Sequence, residues 1–208
     1  FNNTEHAANL FGLKEFGNIY SRLGNPTVGA LEARLTALEE GAMCVALSSG
    51  TSAVMYSLIN IMSQGDNFVT ANQLYGGTYT MFDNILPEYG INSKKVDITD
   101  LEAVEAAIDE KTRAIYCETI TNPGLVVADI SALADIAHSK GIPLIVDATF
   151  TTSAILKPFE YGADIVVYSL TKWMSGHGRV IAGAVIEKGG FDWGNGNFPL
   201  YDKPDTSY

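Results

Sequence analysis

Asp164-Ile165-Val166-Val167-Tyr168-Ser169-Leu170-Thr171-Lys172-Trp173 is an apolar run that ends in two hydroxyls and a lysine, just before the loop Ser175-Gly176-His177-Gly178. A short apolar run of this kind predicts a strand buried on both faces, which is how the strands of a parallel sheet read. An earlier run, Gly141-Ile142-Pro143-Leu144-Ile145-Val146-Asp147, has the same form and also ends in a polar residue.

Working outward from these two runs, strands and helices alternate. Asn25-Pro26-Thr27 opens a helix whose apolar positions Val28, Leu31, Leu35 and Leu38 recur at helical spacing, with Gly41 placed to stop it. Residues 43–47 read as a short buried strand, and Ser48-Ser49-Gly50-Thr51 leads into a helix over 52–62 that closes at Gly65. Further strands are expected over 68–71, 91–96, 113–118 and 142–147. Helices are expected over 75–86, ended by Pro87; after the capping box Thr99-Asp100-Leu101-Glu102, to about 108; and over 131–140, stopped at Gly141. Asn122-Pro123-Gly124 is a turn. The rhythm specifies an α/β fold, a mostly parallel sheet with helices on both faces and ligands bound outside the carboxyl ends of the strands. Residues 180–187 follow the lysine loop too soon for a helical crossover, so they should pair antiparallel.

The chain has 208 residues, 47% of them hydrophobic and 18% charged, enough for a sizeable core and for one large domain or one and a half. Its net charge of -11, with no basic cluster, argues against a nucleic-acid surface. No apolar stretch approaches the ~20 residues that span a bilayer, and no signal peptide is visible, so a soluble protein is expected. Cys44 and Cys117 lie in apolar runs without metal or CxxC spacing and read as reduced core residues of a cytoplasmic protein. His6, His138 and His177 are too scattered for a metal site. His138 reads as a solvated partner of a helix end, and His177 as a shaper of the glycine turn. The chain starts at Phe1 and stops after a Gly-, Pro- and Asp-rich loop, and it is expected to be a fragment, incomplete at both ends.

The strand ends collect the chemistry. Glu118, Asn122, Asp147, Thr149, Ser169, Thr171 and Lys172 fall at or just beyond the carboxyl ends of the expected strands and should share one rim with Ser49-Gly50-Thr51. A strand delivering Ser-x-Thr-Lys can hold pyridoxal phosphate, with the hydroxyls on phosphate and the lysine as a Schiff base, and Asp147 is placed to pair with a protonated ring nitrogen. The backbone N–H groups after Ser49 form an anion site at a helix start. Tyr75-Gly76-Gly77-Thr78 puts an aromatic ring after another strand end, where it can lie on a flat heterocycle. Each piece also has a plain reading: strands end in Ser, Thr and Lys on reaching solvent, Ser and Gly cap helices, tyrosines pack on turns, and an exposed Arg22 is solvated.

Taken together, Tyr20-Ser21-Arg22-Leu23-Gly24-Asn25-Pro26-Thr27, Ser48-Ser49-Gly50-Thr51, Tyr75-Gly76-Gly77-Thr78, Glu118-Thr119 with Asn122-Pro123, Val146-Asp147 and Ser169-Leu170-Thr171-Lys172 resemble the Cys/Met-metabolism family of fold type I pyridoxal phosphate enzymes. The resemblance runs over nearly the whole chain. Within the family it points to the O-acetylhomoserine sulfhydrylases, through Glu5-His6-Ala7-Ala8-Asn9-Leu10-Phe11, the Gly76-Gly77 pair, Ser175-Gly176-His177-Gly178 and Phe191-Asp192-Trp193.

The resemblance implies that Lys172 holds the cofactor, Asp147 pairs with its ring nitrogen, Tyr75 stacks on the ring and serves as a proton carrier, and Asn122 reaches the phenolic oxygen. Gly50, Thr51, Ser169 and Thr171 would bind phosphate, with Ser49, Glu118 and Thr149 also lining the cofactor. Tyr20 and Arg22 would complete a neighbouring subunit's site, making residues 1–40 an arm to that neighbour, residues 41–208 the cofactor-binding large domain, and the assembly a dimer of dimers. The implied reaction is γ-replacement: O-acetyl-L-homoserine and sulfide, or a thiol, give L-homocysteine, or its thioether, and acetate. Cystathionine γ-synthase and methionine γ-lyase are the sister alternatives, and Gly77 counts against the lyase, whose pattern reads Tyr-Gly-Cys-Thr. A nucleotide-binding domain would want a Gly-x-Gly-x-x-Gly turn that Ser48-Ser49-Gly50-Thr51 does not supply, and a catalytically dead truncated product is the remaining alternative. Two departures stand out: Ala148 replaces the usual Asn after Asp147, and the smaller C-terminal domain, with its substrate-carboxylate arginine, is absent from this chain. Phe191, Trp193, Phe198 and Tyr201 are expected to pack against that domain or a neighbouring subunit.

Overall fold

The structure, a computed structural model, describes residues 1–201. Strands β1 (Met43–Leu47), β2 (Asn67–Ala71), β3 (Asn92–Val96), β4 (Thr112–Glu118), β5 (Leu144–Asp147), β6 (Ile165–Ser169) and β7 (Gly183–Glu187) form one sheet in the order β1-β7-β6-β5-β4-β2-β3. From β6 to β3 all neighbours are parallel. β7 runs antiparallel to both β6 and β1, as its short connection requires.

The helices are α1 (Thr4–Phe11), α2 (Pro26–Glu39), α3 (Gly50–Ile59), α4 (Gly76–Thr80), α5 (Leu101–Ala107), α6 (Ile130–Ser139) and α7 (Thr152–Ile155). Successive strand residues point to opposite faces. On β6, the Tyr168 hydroxyl donates to Glu39 of α2 at 2.5 Å, while Ser169 lies against Gly50 of α3, so helices cover both faces. The central strands are completely buried at Ile115, Val146 and Val167, which explains their unbroken apolar reading.

Several local expectations change. Helix α1 is not among the expected elements; Asn3 caps it by accepting from His6 N–H. The segment expected as one helix over 75–86 is α4, a five-residue π turn (Met81–Ile85) and a 3-10 turn (Leu86–Tyr89): Pro87 cannot continue an α-helical ladder, so the chain changes its hydrogen-bond spacing ahead of it. Asp100, not Thr99, caps α5 by accepting from Ala103 N–H, because Thr99 is held by Asp97. β1 is an edge strand with Met43 and Val45 exposed, not a buried one. His138 pairs with Asp164 at 2.9 Å. The aromatic segment packs on this chain: Phe191, Trp193 and Phe198 meet edge-on or tilted, Phe198 is fully buried, and the Tyr201 hydroxyl donates to the carbonyl of Asn60.

Candidate active site

The carboxyl ends of β4 and β5 lie level, with Glu118 opposite Asp147, and β6 runs on from Val167, opposite Asp147, to Ser169. Above them opens a cavity of about 710 Å³ lined by Ser49, Gly50, Thr51, Tyr75, Glu118, Asn122, Asp147, Thr149, Ser169, Thr171 and Lys172. Every expected site residue is there except Tyr20 and Arg22. Those two lie on the exposed segment before α2, the guanidinium 5.3 Å from the tyrosine ring. Val54, Thr78, Ile120, Phe150, Trp173, Gly176, Gly178 and Ile181 also line the cavity. Val54 lies one helical turn after Gly50 and Phe150 next to Thr149, so spacing from the named residues was the available signal; nothing in the sequence marks Ile181.

At one end, the Ser49 side chain caps α3 by accepting from Ser52 N–H at 3.1 Å. Ala53 N–H goes to the Ser49 carbonyl, and the remaining first-turn N–H groups, those of Gly50 and Thr51, have no hydrogen bond among the described residues. They face the cavity beside Ser169. A Cβ on Gly50 would sit 2.4 Å from the Ser169 Cβ, so only glycine lets the helix start reach β6 this closely. The Thr171 hydroxyl is turned to Ala182, donating to its carbonyl at 3.2 Å and accepting from its N–H at 3.1 Å.

At the floor, Asp147 accepts from Thr149 N–H at 2.9 Å and from the Tyr116 phenol at 3.3 Å. Burial raises its pKa, and those hydrogen bonds oppose the rise. The Thr149 hydroxyl accepts from Ser169 N–H at 2.7 Å, tying the end of β5 to that of β6. Ala148 is fully buried and donates its N–H to Val167, so an Asn there would have to bury its amide. Glu118 is 6% exposed; one of its oxygens accepts from Tyr75 N–H at 2.7 Å, the other from Asn122 N–H at 3.0 Å. Desolvation, reinforced by Asp147, pushes its pKa up to about 7.

The donor set suits a molecule with an anionic end and a cationic ring: free helix N–H groups and the Ser169 hydroxyl at one end, two crowded carboxylates at the floor, and Lys172 on the same wall.

The Cys/Met metabolism PLP-dependent enzyme family matches residues 1–201. The chain belongs to this family. It is 48% identical over its full length to an O-acetyl-L-homoserine sulfhydrylase of Leptospira meyeri, covering 47% of that protein. A Campylobacter jejuni structure, described as an O-acetylhomoserine (thiol)-lyase with a pyridoxyl-lysine monophosphate, superposes with a TM-score of 0.95 at 41% identity, over all of this chain and 52% of that one. A cystathionine gamma-lyase of Lactobacillus plantarum, complexed with L-serine, gives 0.82 at 39% identity, over 91% of this chain and 48% of that one. The chain thus spans about half the length of the relatives it matches. For a member of a pyridoxal-phosphate-dependent family, the cavity at the strand ends is the expected place for the cofactor.

Proposed function

We propose that the protein carrying this chain catalyses γ-replacement, converting O-acetyl-L-homoserine and sulfide, or a thiol, to acetate and L-homocysteine or its thioether. The observation that carries the substrate choice is the 48% identity, over the whole chain, to the Leptospira meyeri sulfhydrylase. Its two buried free cysteines support a cytoplasmic location.

In this reading the Gly50 and Thr51 N–H groups and the Ser169 hydroxyl would hold the phosphate end of pyridoxal phosphate, with Ser49 beside them, and the Thr171 hydroxyl would join them only by leaving the Ala182 carbonyl to which it donates. Asp147, aided by Thr149, pairs with its ring nitrogen; Tyr75 covers the ring face, and Asn122 meets the phenolic oxygen. Lys172 would hold the cofactor's aldehyde carbon through Nζ. When bound, the cofactor supplies an aldehyde that captures amino groups and a cationic ring that takes up the electrons left at the substrate's α-carbon. The Lys172 amine, when free, would take the proton from the substrate's α-carbon and move one at the β-carbon. Tyr75 would act as proton carrier at the γ-carbon, giving a proton to the leaving acetate and recovering one from hydrogen sulfide as sulfur takes acetate's place, and Lys172 would return the protons to the β- and α-carbons.

Residues 1–40 are proposed as an arm to a second subunit, residues 41–208 as the cofactor-binding domain, and the assembly as a dimer of dimers. The separation of Tyr20 and Arg22 from their own cavity supports this, since their donors suit a phosphate elsewhere.

The test is product analysis of the full-length protein given O-acetyl-L-homoserine with and without sulfide. Sulfide-dependent homocysteine with little 2-oxobutanoate is expected. Cystathionine formation or elimination would move the activity to a sister enzyme, and a wild-type protein that stays colourless with pyridoxal phosphate would overturn the site itself.

A further inference from the structure

We infer that Glu118 is a positioning residue: its carboxylate clips together the two loops that carry Tyr75 and Asn122, and so sets the width of the cavity between the ring-covering tyrosine and the asparagine. The inference rests on the cofactor reading of this cavity and assigns Glu118 a part that needs no contact with the cofactor.

The two N–H donors come from segments far apart in sequence. Tyr75 is the residue before α4, whose first turn has no side-chain cap, and Asn122 lies in the loop after β4. Each takes a different oxygen of one carboxylate, at 2.7 and 3.0 Å. A carboxylate offers two acceptor oxygens and no hydrogen, whereas Gln offers one acceptor and one donor group, so among side chains of this length only Glu satisfies both amides. The choice is made against local electrostatics. Asp147 of β5 lies directly opposite, and burial already penalises the charge. Tyr116, on the same face of β4, stays neutral, because burial and the two carboxylates hold its phenol protonated, so it neither relieves nor adds to the charge. Tyr75 offers only its N–H to this group, and Lys172 on the shared wall is the one cationic side chain among the described lining residues. A carboxyl group kept where burial and Asp147 both oppose its charge, with both oxygens taken by backbone N–H groups, points to a mechanical duty.

The experiment is amide hydrogen exchange, read residue by residue on the full-length protein in apo and pyridoxal-phosphate-loaded forms, for wild type and Glu118→Gln. Wild-type amides of Tyr75 and Asn122 should be protected. In the variant, at least one should exchange about tenfold faster or more, the scale of a lost charge-assisted hydrogen bond, while β5 and α6 stay unchanged. After correction for intrinsic exchange chemistry, wild-type protection at the two amides should weaken as pH falls through about 7, where Glu118 protonates, and the variant should lack this step. Unchanged exchange at both amides in the variant, or a wild-type profile without the step, would overturn the clip. If the variant does not fold, the wild-type profile alone decides. Failure of the wild type to bind pyridoxal phosphate would instead overturn the cofactor reading and leave the exchange result standing.

Discussion

The phenol oxygen of Tyr116 and Oδ2 of Asp147 lie 3.3 Å apart across the neighbouring strands β4 and β5. The register sets Tyr116 opposite Ile145, so the contact is diagonal, two residues along on the same face. The ring is fixed from behind by Phe82, edge-on at 5.2 Å, which itself meets Phe68 at 4.7 Å. A chain of core aromatics thus aims a proton donor at the carboxylate on the cavity floor.

Tyr116→Phe keeps that packing and removes only the donor. Asp147, already pushed up by burial, should rise further, because one of the bonds that favours its charged form is gone. At this length the bond is worth about 1 kcal/mol, so affinity for pyridoxal phosphate should fall about fivefold with little loss of folding stability. Absorbance titration of the full-length apoprotein measures it, and wild-type affinity in the variant would show that Asp147 does not depend on the phenol.

Gly50→Ala tests the closeness of α3 to β6. The added methyl would overlap Ser169, and neither the helix start nor the strand can retreat without moving the N–H groups proposed to hold phosphate. A loss of about 1–3 kcal/mol in stability is expected from such overpacking, with cofactor retention falling more steeply than stability. Urea unfolding and cofactor titration on the same preparation separate the two.

The strand-end rim was legible because the side chains that form it are poor choices for a sheet interior. Asp147, Glu118 and Lys172 each interrupt an apolar run where the chain must leave the sheet, and parallel topology brings such points together. The partner of each group was not legible. That Glu118 faces two backbone amides and that the Thr171 hydroxyl turns to Ala182 depend on loop paths set by tertiary packing. Edge position is equally hidden: Met43–Leu47 reads like any apolar strand, and only the insertion of β7 between β1 and β6 leaves it at the rim of the sheet.

Gly77→Ala should disturb Tyr75 without touching the cavity floor. A Cβ at residue 77 would stand 2.7 Å from Cε1 of the Tyr75 ring, so the ring must swing away, whereas nothing lies within 4 Å of a Cβ at residue 76. For a Tyr75 that carries the proton as proposed, misplacement by about 1 Å can reduce turnover as much as a hundredfold. Turnover is therefore expected to drop at least tenfold in Gly77→Ala, with Gly76→Ala much less affected. Equal effects in steady-state assays would show that the ring's seat does not govern the step.

Glu118 also sets a pH dependence for the apoprotein. Its folded pKa of about 7 lies above the ordinary value of 4.5, so between these values the folded state holds a proton that the unfolded chain has released. Stability from this group is complete below about 4.5 and falls as pH rises to 7, by at most about 3 kcal/mol at 1.36 kcal/mol per unit. The raised Asp147 acts in the same direction. The melting temperature of apoprotein should decline from pH 5 to 7, and Glu118→Gln should flatten the decline; a parallel decline in the variant would assign it to other groups.

Strain lies one step beyond the cavity wall. Thr152 has φ of 57°, a left-handed conformation that a β-branched residue adopts only under constraint. Its N–H is held by the carbonyl of Ala148 at 2.8 Å, and its own carbonyl receives Leu156 N–H at 3.2 Å, so the path from Asp147 into α7 fixes the angle from both sides. The hydroxyl accepts from Ala154 N–H at 3.3 Å. Asn tolerates the left-handed region and can make the same local bond through its carbonyl oxygen. Thr152→Asn should therefore relieve about 1 kcal/mol and raise the melting temperature by about 2–4 °C, with the Phe150 wall undisturbed. Thr152→Ala loses the hydroxyl contact and, still in the left-handed region, should gain less than Asn does. If Ala stabilises as much as Asn, crowding at the branched Cβ and not the backbone angle is what Thr152 endures.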